Sequence, residues 1–76
     1  MPRLKEIFSE TLQIPIEEVV DSLEYASDPR WDSVAHMALV AAIDEAYDIM
    51  METEDVLDMS TVAKARTILG KYGVES

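Results

Sequence analysis

Apolar positions along this chain recur at helical spacing. Leu4, Ile7, Phe8 and Leu12 fall at i, i+3, i+4 and i+8, which lines one face of a helix. Pro2 suits the first turn of that helix, and Pro15 stops it beyond Gln13. From Pro15 to Arg30 the period is lost, and the stretch predicts a long connection with a short turn around Glu17 to Val20. Ile16, Val19, Val20 and Leu23 give it an apolar edge to lay on a core. Ordered loops of this length are often functional. Pro29 pushes Asp28 towards extended backbone, so a new element is expected after it.

That element is a second helix from Asp32 to Tyr47, with Asp32 as N-cap and no Gly or Pro inside it. Leu39, Val40, Ile43 and Tyr47 mark its core face. Val34, Ala38, Ala41 and Glu45 form a second stripe, flanked by Ala35 and Ala42. A helix apolar on most sides is either central or meets a partner. A short third helix is predicted over Thr53 to Leu57, capped by Thr53, with Glu54 and Asp55 where the dipole favours negative charge. The fourth starts at Ser60 or Thr61, places Val62, Ala65, Leu69 and Tyr72 on one face, and ends at Gly70 or Gly73. Together these predict an all-α fold. It is a small four-helix bundle of three main helices and one short one, as a single domain over 1–76.

Charge changes the picture. Sixteen acids against six Lys and Arg give a formal net charge of −10. Between Glu17 and Asp58 stand thirteen acids and one base, Arg30. Such a surface repels nucleic acid and anionic membrane, so partners with basic patches are expected. The first residues lack the apolar run of a signal peptide. The longest uncharged run, Ser33 to Ile43, is too short to cross a bilayer of about 30 Å. A soluble, cytoplasmic monomer is expected. No cysteine is present, so neither a disulfide nor a thiolate metal site is available.

Candidate chemistry is sparse. His36, the only histidine, has no Ser, Cys or carboxylate at catalytic spacing, and reads as a satisfied histidine near the loop. Trp31 reads as a core or loop anchor. No nucleophile–base pair or metal cluster emerges, so the chain is not expected to be an enzyme. An acidic calcium-binding or protein-interaction domain is the alternative. An EF-hand loop, however, needs a glycine at its sixth position, and Gly70 and Gly73 both lie past the acidic region. Ser33 stands out because a serine in the first turn of a helix presents its hydroxyl at the positive end of the dipole. A phosphodiester there gains roughly 0.3–1 kcal/mol and finds free backbone amides. Ser22 and Ser27 precede no helix, Ser9 is mid-helix and Ser60 reads as a cap.

The stretch Trp31-Asp32-Ser33-Val34-Ala35-His36-Met37-Ala38-Leu39 resembles the modification site of acyl carrier proteins, an Asp-Ser step opening helix two after a long loop. Ile43-Asp44-Glu45-Ala46-Tyr47-Asp48-Ile49 is similar to that family's acidic end of helix two. Glu54 to Val62 looks like its third helix and the entry to the fourth. The resemblance covers nearly the whole chain and implies a free-standing carrier. It further implies that Ser33 takes 4′-phosphopantetheine from coenzyme A, that Asp32 flanks it for transferase recognition, and that an acyl group rides on the arm as a thioester. The implied partners are a magnesium-dependent phosphopantetheinyl transferase, an acyl- or aminoacyl-loading ligase, and acyltransferases or synthases with basic patches. They are expected to dock on Val34, Ala35, Ala38, Ala41 and Ala42, with Asp44, Glu45, Asp48 and Glu54 steering them. Many fatty-acid carriers have acids where this chain has Ala35 and Ala38. That departure leaves fatty-acid, polyketide, aminoacyl and surface-glycan pathways open.

Overall fold

The computed structural model describes residues 3–74; the expectation for Pro2 lies outside them. Four helices follow in order: α1 (Leu4–Leu12), α2 (Ser33–Tyr47), α3 (Thr53–Asp58) and α4 (Val62–Lys71), with a short 3-10 turn at Ile16–Glu18. No strand forms among the described residues, only an isolated bridge between Glu24 and Thr61. The all-α bundle is thus as the periodicity predicts.

Helix α2 is central. Leu39, Val40, Ile43 and Tyr47 are buried, and Leu39 and Ile43 are wholly so. They meet Leu4, Ile7, Phe8 and Leu12 from α1 and Val62, Ala65, Ile68 and Leu69 from α4 in one core cluster. Val34, Ala38, Ala41 and Glu45 lie on the opposite side and are exposed. Ala35 and Ala42 do not share that exposure. They sit about 100° round the helix from Val34 and, half-buried, pack against the core, which removes them from the exposed stripe. Ala42 and Ala46 lie beside Ile7, Glu10 and Thr11 of α1, where short side chains leave room for the neighbouring helix.

Local chemistry accounts for most of the helix ends. Asp32 is the N-cap of α2 and accepts a bond from the Ala35 amide at 2.9 Å. Thr61, rather than Ser60, caps α4, accepting from the Lys64 amide at 3.0 Å. Helices α1 and α2 both end on non-glycine residues in the left-handed conformation, Gln13 at φ 56° and Asp48 at φ 53°. Helix α3 departs from expectation. Glu52, not Thr53, is its N-cap and makes no side-chain cap bond. The Glu52 amide donates instead to the Tyr72 hydroxyl at 2.9 Å.

The long connection is stitched down. Its Asp21 and Leu23 carbonyls accept from the free amides of Ala63 and Val62 at the start of α4, and Tyr25 N–H donates to Ser60 O at 2.8 Å. Val19 is buried as expected, whereas Ile16 and Val20 remain largely exposed. Arg30 closes the end of the loop, bonding both Asp28 oxygens and, at 2.7 Å, Glu18. Those Arg30 bonds, side chain first and backbone second, hold the Asp28 carboxyl down at about 2.

Two alanine-scale substitutions on α2 test its orientation. Ile43→Ala removes a wholly buried side chain and is expected to lower unfolding free energy by about 2–5 kcal/mol. Ala38→Ser, on the exposed stripe, should change it little. Urea denaturation of both variants checks this, and equal losses would mean the faces are reversed.

Candidate functional site

The loop delivers one exposed pair at the start of α2. Trp31 is completely buried, while its neighbours Asp32 and Ser33 are exposed. The Ala26 amide bonds the Trp31 carbonyl and the Trp31 amide bonds the Asp28 carbonyl, both at 3.0 Å, so a tight turn presents the indole inward. Phe8 meets the indole edge-on, with centroids 5.1 Å apart.

Ser33 is the first residue of α2. Among the described residues its hydroxyl has no hydrogen-bond partner, and neither its amide nor that of Val34 is bonded. A free hydroxyl beside unpaired amides at the positive end of a helix can receive a phosphodiester. Arg30, the nearest base in sequence, is committed to Asp28 and Glu18. Amides rather than a guanidinium are the donors available there. Other serines are less suited. Ser9, for example, spends its hydroxyl on the Ile14 carbonyl at 2.7 Å.

Ser33 also borders an apolar cleft of about 200 Å³ between α2, α3 and the loop, lined by Tyr25, His36, Met37, Val56, Leu57 and Met59. Met37 and Leu57 are 60% and 77% exposed, and Val34, beside Ser33, is 78% exposed. Sequence periodicity does not reveal this cleft. Helix α3 has six residues, too few for a period to say which side faces inward.

His36 holds the cleft together. The Trp31 indole N–H donates to His36 Nδ1 at 3.0 Å, and His36 Nε2 bonds the Val56 carbonyl at 2.8 Å. An indole nitrogen only donates and a carbonyl only accepts, so Nδ1 is the acceptor and Nε2 carries the proton. The imidazole stacks on Trp31 at an interplanar angle of 24° and lies 5.0 Å from the Tyr25 ring. It is the satisfied histidine that the sequence suggests, and its second partner is α3.

The other side of α3 is tied to α4. Asp55, 3% exposed, accepts from Lys71 Nζ at 2.5 Å and from the Tyr72 hydroxyl at 2.6 Å. Hydrogen bonding from Lys71, then Tyr72, holds the Asp55 carboxyl below the usual carboxylate range. Asp55 thus carries a structural load that its place in an acidic run does not announce. Among the expected steering acids, Glu45, Asp48 and Glu54 are exposed. Asp44 is half-buried and accepts from the Met51 amide at 3.2 Å. No group of three or more His, Asp or Glu among the described residues is placed to hold a metal ion. No described helix is long and apolar enough to cross a membrane.

A small four-helix bundle with a solvent-facing serine at the start of its second helix is the class this arrangement defines. Comparison with known proteins agrees. The family model described as "Phosphopantetheine attachment site" matches residues 2–66. The acyl carrier protein of Buchnera aphidicola subsp. Schizaphis graminum is 32% identical over 63 residues, covering 83% of this chain and 80% of that protein. The acyl carrier protein of Desulforapulum autotrophicum is 34% identical over 64 residues, covering 83% of each. The chain belongs to the acyl carrier protein family, whose prosthetic group is phosphopantetheine.

The His36 bridge has a direct spectroscopic signature. Nitrogen-15 spectra at neutral pH should show Nε2 protonated and Nδ1 bare, with a downfield Trp31 indole proton. In His36→Leu the indole proton should lose that shift. A ring protonated on Nδ1 would contradict the bridge.

Proposed function

We propose that this protein carries acyl or related intermediates as thioesters on a 4′-phosphopantetheine arm attached to Ser33, and presents them to partner enzymes. The observation that carries this reading is the unbonded, exposed Ser33 hydroxyl, beside free amides and at the edge of an apolar cleft. In attachment, Ser33 Oγ forms a new bond to phosphorus and the pyrophosphate bond of coenzyme A breaks. Adenosine 3′,5′-bisphosphate leaves, and the hydroxyl proton passes to a base on the transferase. The arm supplies a terminal thiol for the thioester. This chain supplies the position. It contributes no catalytic group, consistent with relatives named as carriers.

Asp32 has two parts in this scheme. One oxygen caps α2 and keeps the first turn intact, while the exposed carboxylate flanks Ser33 as a mark for the transferase. Partner docking divides between two kinds of residue. Val34, Ala38 and Ala41 form a floor of small side chains that lets a partner approach the α2 backbone closely. Glu45, Asp48 and Glu54 steer enzymes with basic patches, because exposed charges act on encounter rate more than on affinity.

Mass spectrometry tests the attachment. Incubated with coenzyme A, magnesium and a broad-range transferase, the protein should gain one phosphopantetheine, and Ser33→Ala should gain none. The variant should still fold, because Asp32 remains to cap the helix. An unmodified wild type, or a modified Ser33→Ala, overturns the assignment.

Surface plasmon resonance against the cognate loading enzyme tests the docking face. Glu45→Lys should slow association about two- to fivefold, the span of an exposed ion pair, and flatten its salt dependence. Ala38→Glu should chiefly speed dissociation. Unchanged binding by Ala38→Glu would remove the stripe from the docking surface.

A further inference from the structure

We propose that His36 is a positioning residue for the attachment at Ser33: through the Trp31 indole it holds the loop against the first turn of α2 and so fixes how the Ser33 hydroxyl meets the transferase. The inference rests on the carrier reading above and adds to it a residue that takes no part in the bond-making.

The serine sits inside a ring closed by side chains. Trp31 lies two residues before Ser33 and His36 three residues after it. The Trp31 indole N–H donates to His36 Nδ1 at 3.0 Å, so the chain from 31 to 36 returns on itself with exposed Ser33 within it. Two further bonds lie inside that ring. The His36 amide donates to Asp32 O at 2.8 Å, and the Ala35 amide donates to Asp32 Oδ1 at 2.9 Å. They give the turn its shape. Neither reaches the residue before the cap, so neither sets the direction from which the loop enters.

Trp31 belongs to the loop. Its amide donates to Asp28 O and its carbonyl accepts from the Ala26 amide, so both backbone groups are spent within the connection. Its bond to α2 comes from the side chain, which is completely buried and edge-on to Phe8. An indole nitrogen donates and cannot accept. Without His36 Nδ1 a buried donor stands unsatisfied, which costs more than the bond itself contributes. The indole is relieved by turning towards water, and the chain two residues ahead of Ser33 moves with it. Ser33 then stays exposed but is presented by several turns in place of one. A partner that recognises one arrangement binds in proportion to the fraction that holds it. The defect therefore falls on KM. The rate within the complex, set by the transferase, is retained.

His36 also bonds the Val56 carbonyl through Nε2, so the test must separate its two nitrogens. Asparagine carries an oxygen as many bonds from Cβ as Nδ1 is, and is too short to reach Val56. Glutamine carries its amide at the reach of Nε2. Trp31→Phe keeps a buried ring and removes the donor. Initial rates of phosphopantetheine transfer from coenzyme A, with magnesium and a broad-range transferase, are read by intact mass over a range of carrier concentrations. Circular dichroism first establishes that each variant is folded at the assay temperature. In His36→Gln and Trp31→Phe, KM should rise about five- to tenfold, the span of one buried donor left unpaired, with kcat within about twofold of wild type. His36→Asn should recover most of that rise. Asparagine is the poorer helix former of the two, so a general weakening of α2 orders the variants the other way. Trp31→Phe combined with His36→Gln should lose no more than either alone, because both remove the same bond. Equal KM in His36→Asn and His36→Gln, wild-type KM in His36→Gln, or additive losses in the double variant each overturns the proposal. Should Trp31→Phe fail to fold, the two His36 variants decide it alone. A wild type that gains no mass is a different result and removes the carrier reading itself.

Discussion

The hydrogen bond from the buried Trp31 indole to His36 is the contact on which the functional end of the molecule depends. Trp31 closes the long connection, packs edge-on to Phe8 of α1 and stacks on a ring that belongs to α2. That ring in turn holds the carbonyl of Val56 in α3. Three helices and the loop therefore converge on one polar pair. Buried polar groups are costly unless satisfied, and here each has its partner. Asp32 and Ser33, between indole and imidazole, are exposed, so a buried interior anchor lies two residues away from the Ser33 hydroxyl.

Charge in this protein does two separate things. Most of its acids stand on the surface, where single pairs contribute little to stability. Others are committed to the fold: Asp32 caps α2, Asp44 accepts from the Met51 amide, Asp21 pairs with Arg66, and two further sets tie elements together. Asp28 and Glu18 share Arg30 and fasten the end of the connection, while Asp55 is buried between Lys71 and Tyr72. The same cause that lowers the Asp55 carboxyl raises the Lys71 amine, so their tie persists from well below neutral pH to well above it. Stability from Asp55 is lost only as pH falls through its lowered value, and that from Lys71 only as pH rises through its raised one. Glu45, Asp48 and Glu54 make none of these side-chain bonds and stand exposed.

Whatever depends on near neighbours could be read in the sequence. Leu39, Ile43 and Tyr47 announce the core face by spacing alone, and Asp32 announces a helix start because its side chain bonds an amide three residues on, whereas for α4 the sequence leaves Ser60 and Thr61 both open and the structure selects Thr61. The Asp-Ser step in its whole-chain setting pointed to the family. Contacts between distant residues were hidden. Thr53 has the chemistry of a cap, yet it is the first helical residue and the cap position falls on Glu52, whose amide is satisfied by Tyr72 twenty residues away. Asp55 lay in an acidic run that resembles solvent-facing sequence, and its burial depends on Lys71 and Tyr72. Ala35 and Ala42 were grouped with the stripe they border because small apolar residues fit a surface or a helix contact equally well. The cleft depended on the orientation of a helix too short to have a readable period.

The stripe of Val34, Ala38, Ala41 and Glu45 lies directly across α2 from Ile43 and makes no part of the core cluster. Substitutions at sites without shared neighbours act independently of one another. Lineages of this carrier are therefore free to try new outward side chains one at a time, since the packing that keeps the chain folded does not register the change. Surface and architecture are thereby separated: the outer face can drift while the fold stands still.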